Sequence, residues 1–193
     1  MPTKIKKTQP ETPKTPQGRD LFQTPNYATE LLLPFIPKEI SFIWEPACGN
    51  FKISNVLSEF GFHVYNSDLD FPVTGDNFLT NEFPFTTYKN NGGIITNPPF
   101  SLKQKFYHRC KEFNVPFALL IPMDMAGWLA KAFDIDGCQG VVPYERVNYI
   151  TPTGLNEQNG HTSNFHSFWL TWGFNLPNML NFCHITKEDR KNM

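Results

Sequence analysis

Four consecutive residues, Asn97-Pro98-Pro99-Phe100, carry the groups best suited to chemistry in this sequence of 193 residues, and they end the apolar run IITNPPF. Proline fixes its own backbone angle and has no N–H to give a sheet ladder, so a strand arriving here must stop. An exocyclic amine on a nucleobase is a poor nucleophile, because its lone pair is delocalised into the ring. The Asn97 side-chain oxygen and the Pro98 carbonyl could accept its two N–H groups. That would orient the lone pair and stabilise the positive charge that develops as a methyl group arrives. Pro99 keeps the carbonyl rigid and adds no competing donor, and Phe100 could stack on a base taken out of its helix. Taken alone, the same four residues also read as a strand end with a proline turn.

Placing that motif requires strands that alternate with helices. In QTPNYATELLLPFIP, Thr24 is an expected N-cap, Pro25 the first helical residue and Pro34 the stop. SFIWEP (41–46) reads as a strand that runs through ACGN into the helix FKISNVLSEFG, with Ile53, Val56, Leu57 and Phe60 on one face and Gly61 as its end. FHVYNSDLD and GGIITN (92–97) are the next strands, and a helix from Ser101 carries Leu102, Phe106, Cys110 and Phe113 on one side. VPFALLIPM is a further buried strand, after which VNYIT and FHSFWLTW are expected to form an antiparallel pair across PTGLNEQNGHTSN. Trp169 and Trp172 are expected as hairpin core rather than as a base platform, and His166 as a hydrogen-bonded structural histidine. The pattern is α/β, a mostly parallel sheet with a C-terminal antiparallel hairpin. Ligands of such sheets bind beyond the carboxyl ends of the strands. Glu45 to Asn50, Asp68 and Asn97 to Phe100 fall there. Small residues in EPACGN let backbone N–H groups approach a ligand, and Asp68 suits a ribose hydroxyl pair; packing and solvation are the plainer readings of each.

Taken in order, these segments resemble the S-adenosylmethionine-dependent N6-adenine DNA methyltransferases over about residues 20 to 173. FQTP (22–25) resembles their cofactor-contacting segment, with Gln23 and Thr24. WEPACGN (44–50) resembles the methionine-binding loop, with Glu45, Pro46, Ala47 and Gly49. Asp68 and Leu69 stand at the ribose position, GDNFL (75–79) offers Asp76 and Phe78 to the cofactor adenine, and Asn97 adjoins the cofactor as well as the base. NPPF is then the catalytic motif (Asn97, Pro98, Pro99, Phe100), and SNFHSFWLTW (163–172) the late hairpin whose aromatic residue packs on the flipped base, with Phe165 and Phe168 as candidates beside Phe100. The order of motifs matches the gamma arrangement. The resemblance implies a class I, Rossmann-like methyltransferase fold, S-adenosylmethionine as cofactor, nucleic acid (DNA first) as partner, and no metal. Small adenine methyltransferases of this kind are common on phages and mobile elements.

Two departures qualify the match. Family members usually continue the loop to GxG, and here Phe51 follows Asn50, where its ring could crowd the cofactor. Gamma enzymes usually carry a target-recognition domain, whereas about twenty residues follow Gly173. Low sequence specificity, or specificity supplied by a partner protein, is therefore expected. NPPF also occurs in RNA-base and protein-glutamine methyltransferases, and a noncatalytic nucleic-acid-binding module is the alternative that Phe51 favours.

Bulk properties narrow the classes further. A net charge of −1 provides no global basic field. Residues 1–19 carry five basic side chains against Glu11 and are rich in Pro and Thr, so they read as a disordered basic tail before a single catalytic domain over 20–193. Cys48, Cys110, Cys138 and Cys183 form no CxxC pair, and His161 and His166 lack a second ligand pair, which argues against zinc and a secreted disulfide framework. Cys48, beside the proposed loop, reads as a small packing residue. No apolar segment is long enough to span a membrane and no signal-peptide core is present, so an intracellular, cytoplasmic protein is expected.

Overall fold

The computed structural model describes residues 20–69, 75–84, 90–150 and 165–184. Its frame is a seven-stranded sheet of β1 (Phe42–Glu45), β2 (His63–Asn66), β3 (Gly92–Thr96), β4 (Phe117–Pro122), β5 (Gln139–Pro143), β6 (Ser167–Trp172) and β7 (Leu180–Cys183), in the order β2-β1-β3-β4-β6-β5-β7. β2, β1, β3 and β4 are parallel neighbours, while β6 runs antiparallel to both β4 and β5, and β5 is parallel to β7. Six strands therefore point one way and β6 alone points back. This is a mixed α/β architecture.

Strand composition follows from burial on both faces. All five residues of β3 (GGIIT) are buried, as are the first five of β4 (FALLIP). A strand covered on both sides reads as a continuous apolar run, which is why these two were plain in the sequence. Alternate side chains go to opposite layers. Ile43, Ile95, Leu120, Val141 and Trp169 share one core with the helices α1 (Asn26–Glu30) and α2 (Lys52–Glu59). Trp44, Ile94, Leu119, Val142 and Phe168 share the other with α3 (Lys103–Phe113) and α4 (Gly127–Asp134). α2 buries Ile53, Val56 and Leu57, whereas Phe60, expected on the same face, is its exposed C-cap, and the helix gives way to Gly61 at φ 106, where a residue without Cβ is at ease. α3 buries Phe106, Tyr107, Cys110 and Phe113.

Several expectations are corrected. α1 begins at Asn26 with Pro25 outside it as the N-cap, Thr24 makes no cap hydrogen bond, and Pro34 lies inside a 3₁₀ turn (Leu33–Phe35). Ser101 does not open α3, because Asp20 takes both its N–H and its hydroxyl, and Leu102 is the N-cap. VNYIT is not the partner of β6; β5 is. Val147 and Tyr149 are buried in the α1–α2 core instead, and only Ile150 makes a bridge, to Gln23. α4, β5 and β7 were not anticipated. The tail 1–19, the stretch 152–164 and His161 lie outside the described residues. None of the four cysteines is in a disulfide, and no described helix is long and apolar enough to cross a membrane.

Trp169 shows how the late strand is tied to the beginning of the fold. It is fully buried, and its Nε1 donates to the Ala28 carbonyl of α1 at 2.7 Å. Trp169→Ala should lower unfolding stability by about 3–5 kcal/mol, combining a cavity with an orphaned carbonyl. Urea unfolding of the two proteins measures it; a loss under about 1 kcal/mol would mean that α1 does not depend on β6.

Candidate active site

β1 has β2 on one edge and β3 on the other, so the chain leaves the carboxyl end of β1 toward one side and returns on the other side. Such a reversal opens a crevice between the two strand ends. A cleft of about 710 Å³ lies there, and every residue named above as a cofactor contact lines it. Of the catalytic motif, Asn97 and Pro99 line it too, while Pro98 is buried and Phe100 faces elsewhere. Positions more than seventy residues apart in the chain are thus brought to one cavity.

Glu45, the last residue of β1, is 1% exposed. Burial raises its pKa from an ordinary 4.5 to about 8, with Asp68 adding to the shift and the hydrogen bond from Ser54 opposing it. Ser54 Oγ sits in contact with both the Glu45 carboxyl and the Asn66 side-chain amide. A group at about 8 holds its proton at neutral pH. Beside it the Cys48 thiol is buried and pushed up to about 12, first by desolvation and then by Glu45 and Asp68, so it packs and does not act as a nucleophile.

The turn after β1 was expected to offer free backbone donors. Instead Cys48 N–H donates to the Ser67 carbonyl at 3.2 Å, Gly49 N–H to Asp68 Oδ2 at 3.0 Å, Asn50 N–H to Gln23 Oε1 at 3.1 Å, and Phe51 N–H to the Cys48 carbonyl at 2.8 Å. Each has a partner within the protein. Gly49 needs to be glycine twice over: its φ is 46, and a Cβ would stand 3.0 Å from the Gln23 amide. Phe51 adopts the same left-handed region (φ 60, ψ 20), the conformation that the glycine of GxG would take without cost. Its ring lines the cleft, so the departure seen in the sequence is real in space.

Asp76 accepts from the Tyr65 hydroxyl at 3.3 Å and from Asn81 Nδ2 at 3.0 Å. Phe78 is 2% exposed and stacks on Phe106 with centroids 4.6 Å apart, so only the edge of a core ring reaches the cleft. The acids Asp20, Glu45, Asp68 and Asp76 line the cavity with a single basic side chain, Lys52. No group of three or more metal-ligating side chains is assembled among the described residues.

Of the described residues that line the cleft, Asn97 is the one with a buried side-chain polar atom that lacks a partner. Its Nδ2 donates to the Phe22 carbonyl at 3.4 Å, and its Oδ1 is buried with no partner among the described residues. A carbonyl can only accept, which fixes the amide with its nitrogen toward Phe22 and its oxygen away. Next to it, four rings assemble. Phe22 stacks on Tyr149 (5.9 Å), and Phe100 meets Tyr149 (5.6 Å) and Phe165 (5.5 Å) edge-on. A base held between two faces needs them parallel and about 7 Å apart, twice the ~3.5 Å contact distance. The Phe100–Phe165 pair is closed. Phe168 is not a base-stacking residue: it is fully buried in the α3–α4 core, where it stacks on Phe133. His166 Nε2 contacts the Pro143 carbonyl at 2.7 Å, a structural role.

Asp20 and Lys52, which line the cleft, were missed, as was the packing of Tyr149 against Phe22 and Phe100 beside it. The contacts of Asp20 and Tyr149 join distant segments, and no local pattern announces them. Comparison with protein-family models and with curated proteins returned no match for this chain.

The raised Glu45 pKa has a signed consequence for stability. Between about 4.5 and about 8 the folded protein keeps a proton that the unfolded chain releases, so stability falls as pH rises through that window and levels off above it. Glu45→Gln cannot ionise. The stability difference between variant and parent should therefore grow in the variant's favour from about pH 5 to about pH 8, on the order of 1 kcal/mol or more in total. Urea midpoints across that range test it, and a difference that does not change with pH would place an ionised Glu45 in the fold.

Proposed function

We propose that this protein transfers a methyl group from S-adenosylmethionine to the exocyclic N6 of adenine in DNA, as a class I-type methyltransferase. The observation that carries the reading is Asn97, a residue lining the cleft between β1 and β3, whose buried Oδ1 has no donor among the described residues. An amine N–H is the kind of group that would satisfy it. The character of the cleft agrees. Three aspartates (Asp20, Asp68 and Asp76) against Lys52 disfavour a phosphate-bearing cofactor and suit a cationic one, while Glu45, protonated at neutral pH, adds no charge.

S-adenosylmethionine, when bound, supplies an electrophilic methyl carbon on a sulfonium. The rest is the work of the chain. Glu45, Asp68 and Asp76 present acceptors along the cleft for ammonium, ribose and adenine groups. Asn97 Oδ1 and the Pro98 carbonyl accept the two N–H groups of the target amine and direct its lone pair inward. Their dipoles stabilise the charge that builds on nitrogen, and the surplus proton leaves to water. Phe100 offers its ring to the base once Phe165 has moved off it, because the two are now in contact.

A second reading, a nucleic-acid-binding module without catalysis, draws on Phe51 and on the four loop N–H groups already satisfied within the protein. The two readings part on one experiment. Labelled methyl from S-adenosylmethionine is offered to double-stranded DNA, single-stranded DNA, RNA and protein in parallel, and the product is digested to nucleosides. N6-methyladenine in DNA is expected, with Asn97→Ala reducing turnover by about 100-fold or more while cofactor affinity holds. Label in RNA or in a glutamine amide would redirect the substrate, and label nowhere would favour the binding module.

Phe51→Gly gives an independent check on the cofactor. Glycine accommodates the same left-handed backbone, so a change in affinity reports the side chain removed from the cleft lining. S-adenosylmethionine should bind it about tenfold more tightly by calorimetry, a change of about 1.4 kcal/mol. Weaker binding would make the ring a contact rather than an obstruction.

A further inference from the structure

Residues 20–23 form a strap along the wall of the cleft and are fastened at both ends. At one end the Asp20 carboxylate takes two donors from Ser101, its N–H at 3.0 Å and its Oγ at 2.6 Å. At the other, Gln23 exchanges both backbone hydrogen bonds with Ile150, at 2.9 and 3.0 Å, and its Oε1 accepts from Asn50 N–H at 3.1 Å. Phe22 sits between, with its carbonyl on Asn97 Nδ2. The strap and the catalytic motif are therefore paired at two points, 20 with 101 and 22 with 97.

The two contacts are not equal in strength. At 3.4 Å the Phe22–Asn97 bond is long and does not hold the strap by itself. The Asp20–Ser101 pair is short, doubled and charge-assisted. Between Asn97 and Ser101 lie Pro98, Pro99 and Phe100; the two prolines have fixed φ, and the turn that Leu102 N–H closes on the Pro99 carbonyl at 2.8 Å spans Phe100. What happens at Ser101 is thus passed along a stiff link to Asn97.

We propose that Asp20 is a positioning residue of this site, holding Ser101 so that the Phe22 carbonyl fixes the Asn97 amide with Oδ1 turned toward the substrate amine. This rests on the reading of Asn97 given above. Asp20 touches no reacting atom; it acts through Ser101 and Phe22. Released, the Asn97 amide can rotate and present its nitrogen, a donor, where an acceptor is needed.

The test reads the amide directly, so that it does not depend on turnover. In ¹⁵N-labelled full-length protein, the Asn97 side-chain NH₂ signal is assigned by its loss in Asn97→Asp, and its hydrogen exchange is measured in the parent, Asp20→Ala and Asp20→Asn. Loss of a charged hydrogen-bond pair should speed exchange about tenfold or more in Asp20→Ala, while Asp20→Asn, which keeps an acceptor for Ser101, stays within about threefold of the parent. Unchanged exchange in Asp20→Ala overturns the proposal, whatever the activity. If the parent transfers methyl groups, Asp20→Ala should lower kcat about tenfold with the dissociation constant of S-adenosylmethionine nearly unchanged, and Asp20→Asn should recover most of it. A loss of cofactor affinity with kcat intact would assign Asp20 to binding and overturn the proposal. A parent that binds but never turns over refutes the methyltransferase reading alone, because the exchange result still stands.

Discussion

The arrangement of β1 is the constraint on which the other features depend. It is paired in parallel on both edges, in register Ile43↔Val64 with β2 and Ile43↔Gly93 with β3. Parallel pairing on both sides forces the chain to cross over twice and sends both crossovers out from the carboxyl ends. The turn Pro46–Phe51 and the motif Asn97–Phe100 are therefore neighbours because of the sheet, not because of any contact between them. Two separate cores, one with α1 and α2 and the other with α3 and α4, keep the strand ends in place. Trp44 and Ile43, adjacent in the chain, anchor β1 into opposite layers.

Within that frame the cleft holds a balance between internal satisfaction and readiness for a ligand. The turn after β1 is satisfied: its N–H groups go to Ser67, Asp68, Gln23 and Cys48. Even so, the turn is strained at Phe51, where a bulky residue takes a left-handed conformation of the kind that costs about 1–2 kcal/mol. The strain is held in place by Phe51 N–H on the Cys48 carbonyl and Asn55 N–H on the Phe51 carbonyl, which commit the residue to the start of α2. Asp68 is similarly committed, since one carboxylate oxygen already holds Gly49. A ligand that engages this carboxylate shares it with the loop it would sit upon. Binding and loop geometry are coupled for that reason.

The sequence was legible where one cause acts alone. β3 and β4 were visible as apolar runs because both of their faces are covered, and the strand ends were visible because prolines and small residues mark them. It misled where two causes produce one pattern. VNYIT alternates like a strand, but its alternation serves to bury Val147 and Tyr149 beneath α1 and α2, and β5 takes the pairing with β6 instead. Phe168 looked like Phe165 because both are aromatic residues of the same stretch, yet a three-residue step places them on opposite sides of the sheet. The strap was invisible, since its contacts span 81 and 75 residues and follow no period.

Asn97 Oδ1 is then the point where packing and chemistry separate. A buried acceptor without a donor carries a cost of about 1–3 kcal/mol, and folds usually remove it by rotating the amide or admitting a hydroxyl. Neither route is open here. Rotation would set the amide oxygen against the Phe22 carbonyl, and the neighbouring Thr96 hydroxyl is itself buried without a partner, so it does not fill the vacancy. Pro98 and Pro99 bring no N–H to the place, whereas almost any other pair of residues would have supplied two. Pro98 and Pro99 thus add no donor of their own, and the Phe22 carbonyl disfavours the rotation that would turn the amide over. What is left is a buried acceptor, in a residue lining the cleft, that no donor among the described residues meets.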